Sequence, residues 1–454
     1  MSGIWGNSLK LSIFGESHGA AVGIALDGLP PGFAIDWAAV AHEMSRRAPG
    51  RGSLSTPRKE SDEWEVLSGV FEGRTAGTPL CAIIRNEGQR PGDYSRRLPR
   101  PGHADLTAIA KYKGCADYRG GGHFSGRLTA PLVFAGAIAK QILAPCGISI
   151  HARIARIHGV ADESAPAPER VAEAFAAASK KPFPAFSDAA AAKMQAAILA
   201  AKDEGDSVGG VVECAAFGLP PGWGDPFFDS LESRIASMMF SIPAIKGIEF
   251  GEGFGFAAMK GSEANDAYRA AGSAAACANG TGDAANGAAS AACHAIGASA
   301  ASGGGSAICA NGTGGANGAA SADSGDNSAA DATDAANAAN GAVGSAGSAE
   351  GTVGGGASPS GGAGVGIGWI RALSNHNGGI NGGISNGSPL IFRVAVKPTP
   401  TIRLEQKTVD LGTGADVAAS FGGRHDPCIV PRALPAVEAG LALCLLDCKL
   451  SAAP

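Results

Sequence analysis

The 454-residue chain lacks a start in which charge is followed by an apolar core. Met1-Ser2-Gly3-Ile4-Trp5 is small and mostly neutral, so no secretory leader is expected. No apolar run reaches membrane-spanning length; the best candidate, Pro131 to Leu143, is short and interrupted by Lys140. Ten cysteines occur without a CxxC pair or regular spacing, which argues against a disulfide framework and for reduced thiols in a cytoplasmic setting. Paired ligands at zinc spacing are also missing, so no metal site is expected. A net charge of −5 gives no reason to expect nucleic acid or an anionic membrane as partner.

One long tract lacks still more. From Ala270 to Gly368 there is no Lys, Arg, Phe, Tyr or Trp; Ala, Gly, Ser, Asn and Asp make up most of it. Cys277-Ala278-Asn279-Gly280-Thr281-Gly282 recurs as Cys309-Ala310-Asn311-Gly312-Thr313-Gly314, a mark of duplication. Such a segment has little bulky apolar surface to offset an ordering cost of about 1–2 kcal/mol per residue, so it is read as a flexible insertion at 270–368. A Gly-rich solenoid is the rival reading, weakened by the irregular repeat. Residues 1–269 and 369–454 then form a single catalytic domain.

What is present is ordinary amphipathic sequence with concentrated positive charge. Asp36 is a plausible N-cap for a helix ending at Arg47, before Pro49-Gly50. Thr129 to Cys146, Pro168 to Lys180, Asp188 to Glu204 and Ala433 to Leu450 also read as helices. Ile148 to Ile154 alternates like a half-buried strand, and Leu390 to Val396 is a second strand. Between Arg46 and Arg127 there are 15 basic and 9 acidic residues, and most of the basic ones are Arg. Arg forks match phosphate and carboxylate oxygens, so a small polyanion could bind there.

Four clusters could carry chemistry. Gly15-Glu16-Ser17-His18-Gly19 matches the nucleophile elbow of serine hydrolases, with Ser17 as nucleophile, but only 14 residues precede it, too few for the required earlier strands. His18, in a Gly-bounded turn, is the alternative actor. Arg100-Pro101-Gly102-His103-Ala104-Asp105 is a turn in which a His sits beside an Arg. Tyr118 to Arg127 carries three consecutive glycines and leads into a helix, an arrangement that suits phosphate, with Arg119 and Arg127 adding charge. Gly423-Arg424-His425-Asp426-Pro427-Cys428 offers an Asp that neighbouring Arg and His would keep ionised, ready to accept a proton.

Taken together, and with Gly378 to Gly387, these segments resemble the chorismate synthase family, in the family's order, over residues 1–268 and 369–450. The tract at 270–368 departs from the family, which crosses there with a much shorter loop. The resemblance implies an α+β fold, a β-α-β sandwich with a helical layer between two antiparallel sheets, assembled as a homotetramer. It implies the lyase reaction that converts 5-enolpyruvylshikimate 3-phosphate to chorismate and phosphate, using reduced FMN without net redox change. NADPH, or a separate flavin reductase, is implied as the indirect source of reducing power.

Residue by residue, the resemblance makes His18, His103 and Asp426 catalytic. His18 would protonate or stabilise the reduced flavin, His103 would protonate the departing phosphate, and Asp426 would assist uptake of the substrate proton. Arg47, Arg51, Arg100 and Arg127 would bind the substrate. Phe124, Ser125, Gly126, Ala244, Gly382, Lys397, Pro398, Thr399, Pro400, Thr401 and Arg424 would contact FMN. An NADP-related contact falls on Arg47 and Ser53, where Ser53 replaces a basic residue frequent in the family and Arg51 stands close by. Pro243 stands where some members carry Asn.

Overall fold

The computed structural model describes residues 3–50, 54, 60, 62–163, 166, 168–270, 370–422 and 425–452. All of them fall within one unit of the chain, 1–299 with 368–454. The insertion expected at 270–368 lies outside the described residues, apart from Ala270 at its edge.

Period-2 patterning builds two antiparallel sheets. The first has the strand order Lys10–Gly15, Ala21–Asp27, Leu80–Arg85, Trp64–Ser68. Val22, Ile24 and Leu26 from one strand, with Leu80, Ala82 and Ile84 from its neighbour, bury one face. The second has the order Ile245–Phe250, Leu390–Val396, Gly210–Phe217, Ser149–Ile157, Val160–Ala161. Here Ile150, Ala152, Ile154, Val212, Cys214, Leu390, Phe392 and Val394 face the main core. The other face is covered too, where Phe175 packs on Ala215, Phe217 and Ile391.

Between the sheets lie the helices Trp37–Arg47, Thr129–Leu143 and Val430–Ser451. The middle one meets the first sheet and the C-terminal helix, which in turn lies on the second sheet. That is the expected sandwich. Twelve of the 15 residues in Thr129–Leu143 are buried. A Cβ on its Gly136 would stand 2.2 Å from that of Ala439, so only glycine permits the crossing at this distance. The apolar segment 126–146 is long enough to cross a membrane by composition, yet 72% of its 18-residue apolar window is buried inside the fold as a core helix.

Local signals placed most boundaries well. The Asp36 carboxylate accepts from the N–H groups of Ala38 and Ala39 at 2.9 and 3.2 Å and opens the first helix as expected. The strand Leu390–Val396 is as read. The C-terminal helix starts at Val430, three residues earlier than its apolar pattern suggests, with Pro431 in the first turn, where a missing N–H costs nothing. Its Glu438 accepts from Arg46 at 2.6 and 2.9 Å, from Lys140 at 2.5 Å and from the Ala152 N–H at 2.8 Å. One buried carboxylate thus ties all three helices to the second sheet. The described cysteines are all free.

Candidate active site

Two of the motif turns close on each other. Ser17 N–H donates to the Gly122 carbonyl at 3.0 Å, and His123 Nδ1 lies 2.9 Å from the Gly15 carbonyl. Gly120, Gly121 and Gly122 adopt φ of 60°, 81° and 52°, open to glycine at no steric cost. Their Cα atoms are also crowded. A Cβ on Gly120 would sit 2.3 Å from His18 Cε1, and one on Gly121 would sit 2.7 Å from His103 Cε1. His18 and His103 therefore press on adjacent residues of one loop. Tyr94 joins them again: its ring meets His18 edge-on at 5.1 Å and lies 5.2 Å from the Arg100 guanidinium.

This geometry overturns the hydrolase alternative. Ser17 is 1% exposed, and the turn leads from one strand into another, whereas an elbow passes from strand to helix. The side chain of Arg119 is paired with Asp117 at 2.9 and 2.8 Å, and Arg127 is buried among carboxylates, so each cation of this loop already carries a carboxylate partner.

Beside the loop, Asp105 takes both Arg100 and His103. Its carboxylate receives Arg100 Nε and Nη2 at 2.8 Å each and the Arg100 backbone N–H at 3.0 Å, while His103 Nδ1 stands 2.9 Å from Oδ1. Burial pushes the Asp105 carboxyl upward, but these donors outweigh it and hold it below the usual range. The segment Lys397 to Thr401 abuts this turn. Lys397 Nζ donates to the Gly102 carbonyl, and a Cβ on Gly102 would stand 3.3 Å from Pro400 Cβ. Burial, with Lys246 adding to it, lowers the Lys397 pKa.

A second cluster forms at the end of the first helix. Arg47 is 2% exposed and donates through Nε (2.9 Å) and Nη2 to Asp62, whose other oxygen accepts from Arg127. Arg127 also reaches Glu60 at 3.1 Å, Asn86 Oδ1 at 2.9 Å and the Arg85 carbonyl at 3.1 Å. Burial drives the Arg47 pKa down to about 10, with Arg432 and Arg127 adding to the fall and Asp62 opposing it. Arg432 donates to the Arg47 carbonyl at 3.1 Å and to Asp426 Oδ2. Asp426, 7% exposed, is thus held by Arg432 in the next helix.

The two clusters are continuous. Asn86 Nδ2 donates to the carbonyls of Glu16 and Gly19, tying the His18 turn to Arg127. On the other side Val208 N–H donates to the Pro427 carbonyl, and Ser207 to the Thr399 carbonyl. His425 is pushed below its ordinary value by burial, and the positive charges of Arg100 and His103 add to that, while Asp426 opposes. The loop carrying Asp426 therefore lies in the field of the Arg100–His103 pair.

Residues 9–322 and 283–450 match the sequence profile of the chorismate synthase family. The chain is 37% identical to the chorismate synthase of Aeropyrum pernix over 447 residues, which covers 98% of this chain and 92% of that protein. It is likewise 37% identical to the chorismate synthase of Thermococcus kodakarensis over 444 residues, covering 97% and 96%. The chain belongs to the chorismate synthase family. Its backbone also superposes on a crystal structure of a chorismate synthase with a TM-score of 0.60, covering 98% and 93% of the two chains; at 24% identity this likeness speaks for the fold.

Chorismate synthases are lyases and, in general, flavin-dependent, and parts of this chain fit a flavin. Gly126 has open space where a Cβ would stand, and Ser125 precedes it. Ala244 adopts φ 77°, a conformation L residues rarely hold, and its carbonyl accepts from the Lys397 N–H at 2.9 Å. An ammonium at Lys397 and hydroxyls at Ser125, Thr399 and Thr401 are suitable partners for a phosphate and a polar ring edge. Phe124 is half-buried, 6.2 Å from the Tyr112 ring. Pro398 packs beside Gly209, where a Cβ would meet its Cδ at 2.9 Å. Gly382 also has open space, but its hairpin is anchored elsewhere: Gly383 accepts from the Leu231 N–H at 2.9 Å and Ser385 from Trp223. Arg51, Ser53 and Arg424 lie outside the described residues.

Several members of this site were not singled out from the sequence. Asp62, Asn86 and Arg432 sit in no motif, and Tyr94 has no local signal. Asp105 was inside a motif, where its spacing from His103 could have marked it.

Proposed function

We propose that the chain eliminates phosphate from 5-enolpyruvylshikimate 3-phosphate in the anti-1,4 sense, giving chorismate with reduced FMN as cofactor. The C–O bond to phosphate breaks, a proton leaves a distant ring carbon, and the electron pair from that C–H bond completes the new conjugated diene. Reduced FMN, when bound, supplies electron density that is lent and recovered, so redox state is unchanged overall. The protein's part is orientation and proton handling. His103 gives its Nε2 proton to the departing phosphate, His18 keeps a proton on the flavin side, and Asp426 assists removal of the ring proton. Arg47, Arg51, Arg100 and Arg127 serve the substrate's phosphate and carboxylates. Phe124, Ser125, Gly126, Ala244, Gly382, Lys397 to Thr401 and Arg424 serve FMN. NADPH, contacting Arg47 and Ser53, or a separate reductase, restores the reduced flavin. A homotetramer in the cytoplasm completes the reading.

The observation that carries this assignment is the meeting of His18 and His103 on Gly120 and Gly121, with arginines on both flanks. Anaerobic incubation with the substrate and dithionite-reduced FMN should release phosphate stoichiometrically with chorismate. His103→Ala should slow turnover by about 10²–10⁴, the usual worth of a general acid. Turnover at the wild-type rate in that variant would remove His103 from the role, and flavin binding without phosphate release would reduce the chain to a flavin carrier.

A further inference from the structure

We propose that Asp105 is a positioning residue for the acid step: it accepts the Nδ1 proton of the His103 imidazolium, so that the proton given to the phosphate is the one on Nε2 and the ring is left as the neutral Nδ1–H tautomer. The proposal rests on the reading of His103 as the acid. The geometry comes from three groups sharing one oxygen. Asp105 Oδ1 accepts from Arg100 Nη2 at 2.8 Å and stands 2.9 Å from His103 Nδ1. Arg100 Nη2 is itself 3.2 Å from that same Nδ1.

These contacts admit two proton arrangements. In one, Nδ1 carries no proton and accepts from Arg100. In the other, Nδ1–H donates to Asp105, and Arg100 donates only to the carboxylate. A guanidinium has donors and no acceptor, whereas the carboxylate can accept at several positions. The second arrangement places every proton on an acceptor: Arg100 already has both oxygens of Asp105 at 2.8 Å. It also uses the shorter contact of the two. Asp105 is kept ionised for this by its donors, and with side chains 12% and 18% exposed, the Asp105–His103 pair meets little competing water.

Orientation follows from the same contact. With Nδ1 tied to Asp105, the far edge of the ring faces the glycine loop: a Cβ on Gly121 would stand 2.7 Å from His103 Cε1 and 3.2 Å from Nε2. Nε2 is thereby aimed at Gly121, next to the Gly120 on which His18 packs. Asp105 also anchors Arg100, so one carboxylate sets the relation between a substrate-binding cation and the acid.

The test uses the FMN-loaded enzyme and three variants: Asp105→Ala, Asp105→Asn and His103→Gln. Histidine ring nitrogens are followed by ¹⁵N NMR, and the His103 signals are identified by their loss in His103→Gln. Wild type should show a protonated Nδ1 at His103 that Asp105→Ala loses and Asp105→Asn, with an oxygen still in place, largely keeps. Turnover should follow the same order, with kcat falling about 10²-fold in Asp105→Ala and less in Asp105→Asn. If Asp105 merely anchored Arg100, the loss would appear in KM and the His103 tautomer would be unmoved in Asp105→Ala; either result overturns the proposal. Full activity in His103→Gln would instead strike the acid assignment, and the NMR result would still decide what Asp105 does to the ring.

Discussion

Asp62→Asn tests how the arginine cluster is held. Asp62 is 2% exposed with φ 53°, and its two oxygens separate a pair of buried guanidinium groups, those of Arg47 and Arg127. The loss is uneven. Arg127 keeps Glu60, Asn86 and the Arg85 carbonyl, whereas the described side-chain bonds of Arg47 both go to Asp62. Removing one partner of a buried ion pair costs about 3–5 kcal/mol. Asn keeps one acceptor oxygen, so about 3 kcal/mol is expected at neutral pH. Burial pushes the Asp62 carboxyl up, but Arg47 and Arg127 more than reverse this and hold it below its ordinary value. A depressed folded-state pKa means a contribution present above the ordinary carboxylate range and lost as pH falls through the folded value. Wild type should therefore lose stability on acidification in a component that Asp62→Asn lacks, and the gap between them should narrow. Urea unfolding followed by tryptophan fluorescence at neutral and acid pH measures both, with Trp64 two residues away as a local reporter. A neutral-pH loss below about 1 kcal/mol, or a gap that does not change with pH, would refute the bridge as the source of this stability.

Two further outcomes follow from the backbone. Gly120→Ala should abolish measurable turnover in a protein that still folds, because its Cβ would fall 2.3 Å from the His18 ring and 2.9 Å from Ser17 Oγ; activity within about tenfold of wild type would mean the loop and ring adjust freely. The strands Tyr268–Ala270 and Ile370–Ala372 pair as an antiparallel ladder, with Ala270 opposite Ile370. Replacing 271–369 by Asn-Gly should therefore close a two-residue hairpin and leave turnover within about twofold. Lost activity in a folded variant would show that the tract takes part in the chemistry.

Hydrophobic patterning makes helices and two strands legible, and the sandwich that joins them is legible only through the family resemblance. Alternation in Ile148 to Ile154 and the capped, apolar-faced helices are local properties, written within a few residues of where they act. The C-terminal helix begins ahead of its apolar repeat because Pro431 occupies its first turn, where a missing N–H is tolerated. The site was legible as a set of motifs because glycines and histidines in tight turns are conspicuous. Its electrostatics were not. Arg127 reads as an available cation in sequence, yet finds Asp62 after a separation of 65 residues. Asp426 reads in sequence beside Arg424 and His425, and the fold adds Arg432 from the following helix as a donor to it.

The sequence by itself determined the helices, two of the strands, the absence of a disulfide spacing and the three turns that carry His18, His103 and Asp426, while the two-sheet sandwich is what the family resemblance implies. Only the tertiary structure decided that Gly120 and Gly121 receive the two imidazoles side by side, and that Asp105, Asp62 and Arg432 govern the charges around them. The physical reason is range. Backbone propensity and burial periodicity act between near neighbours along the chain, whereas a buried charge is settled by whichever counter-charge the fold carries to within a hydrogen bond of it.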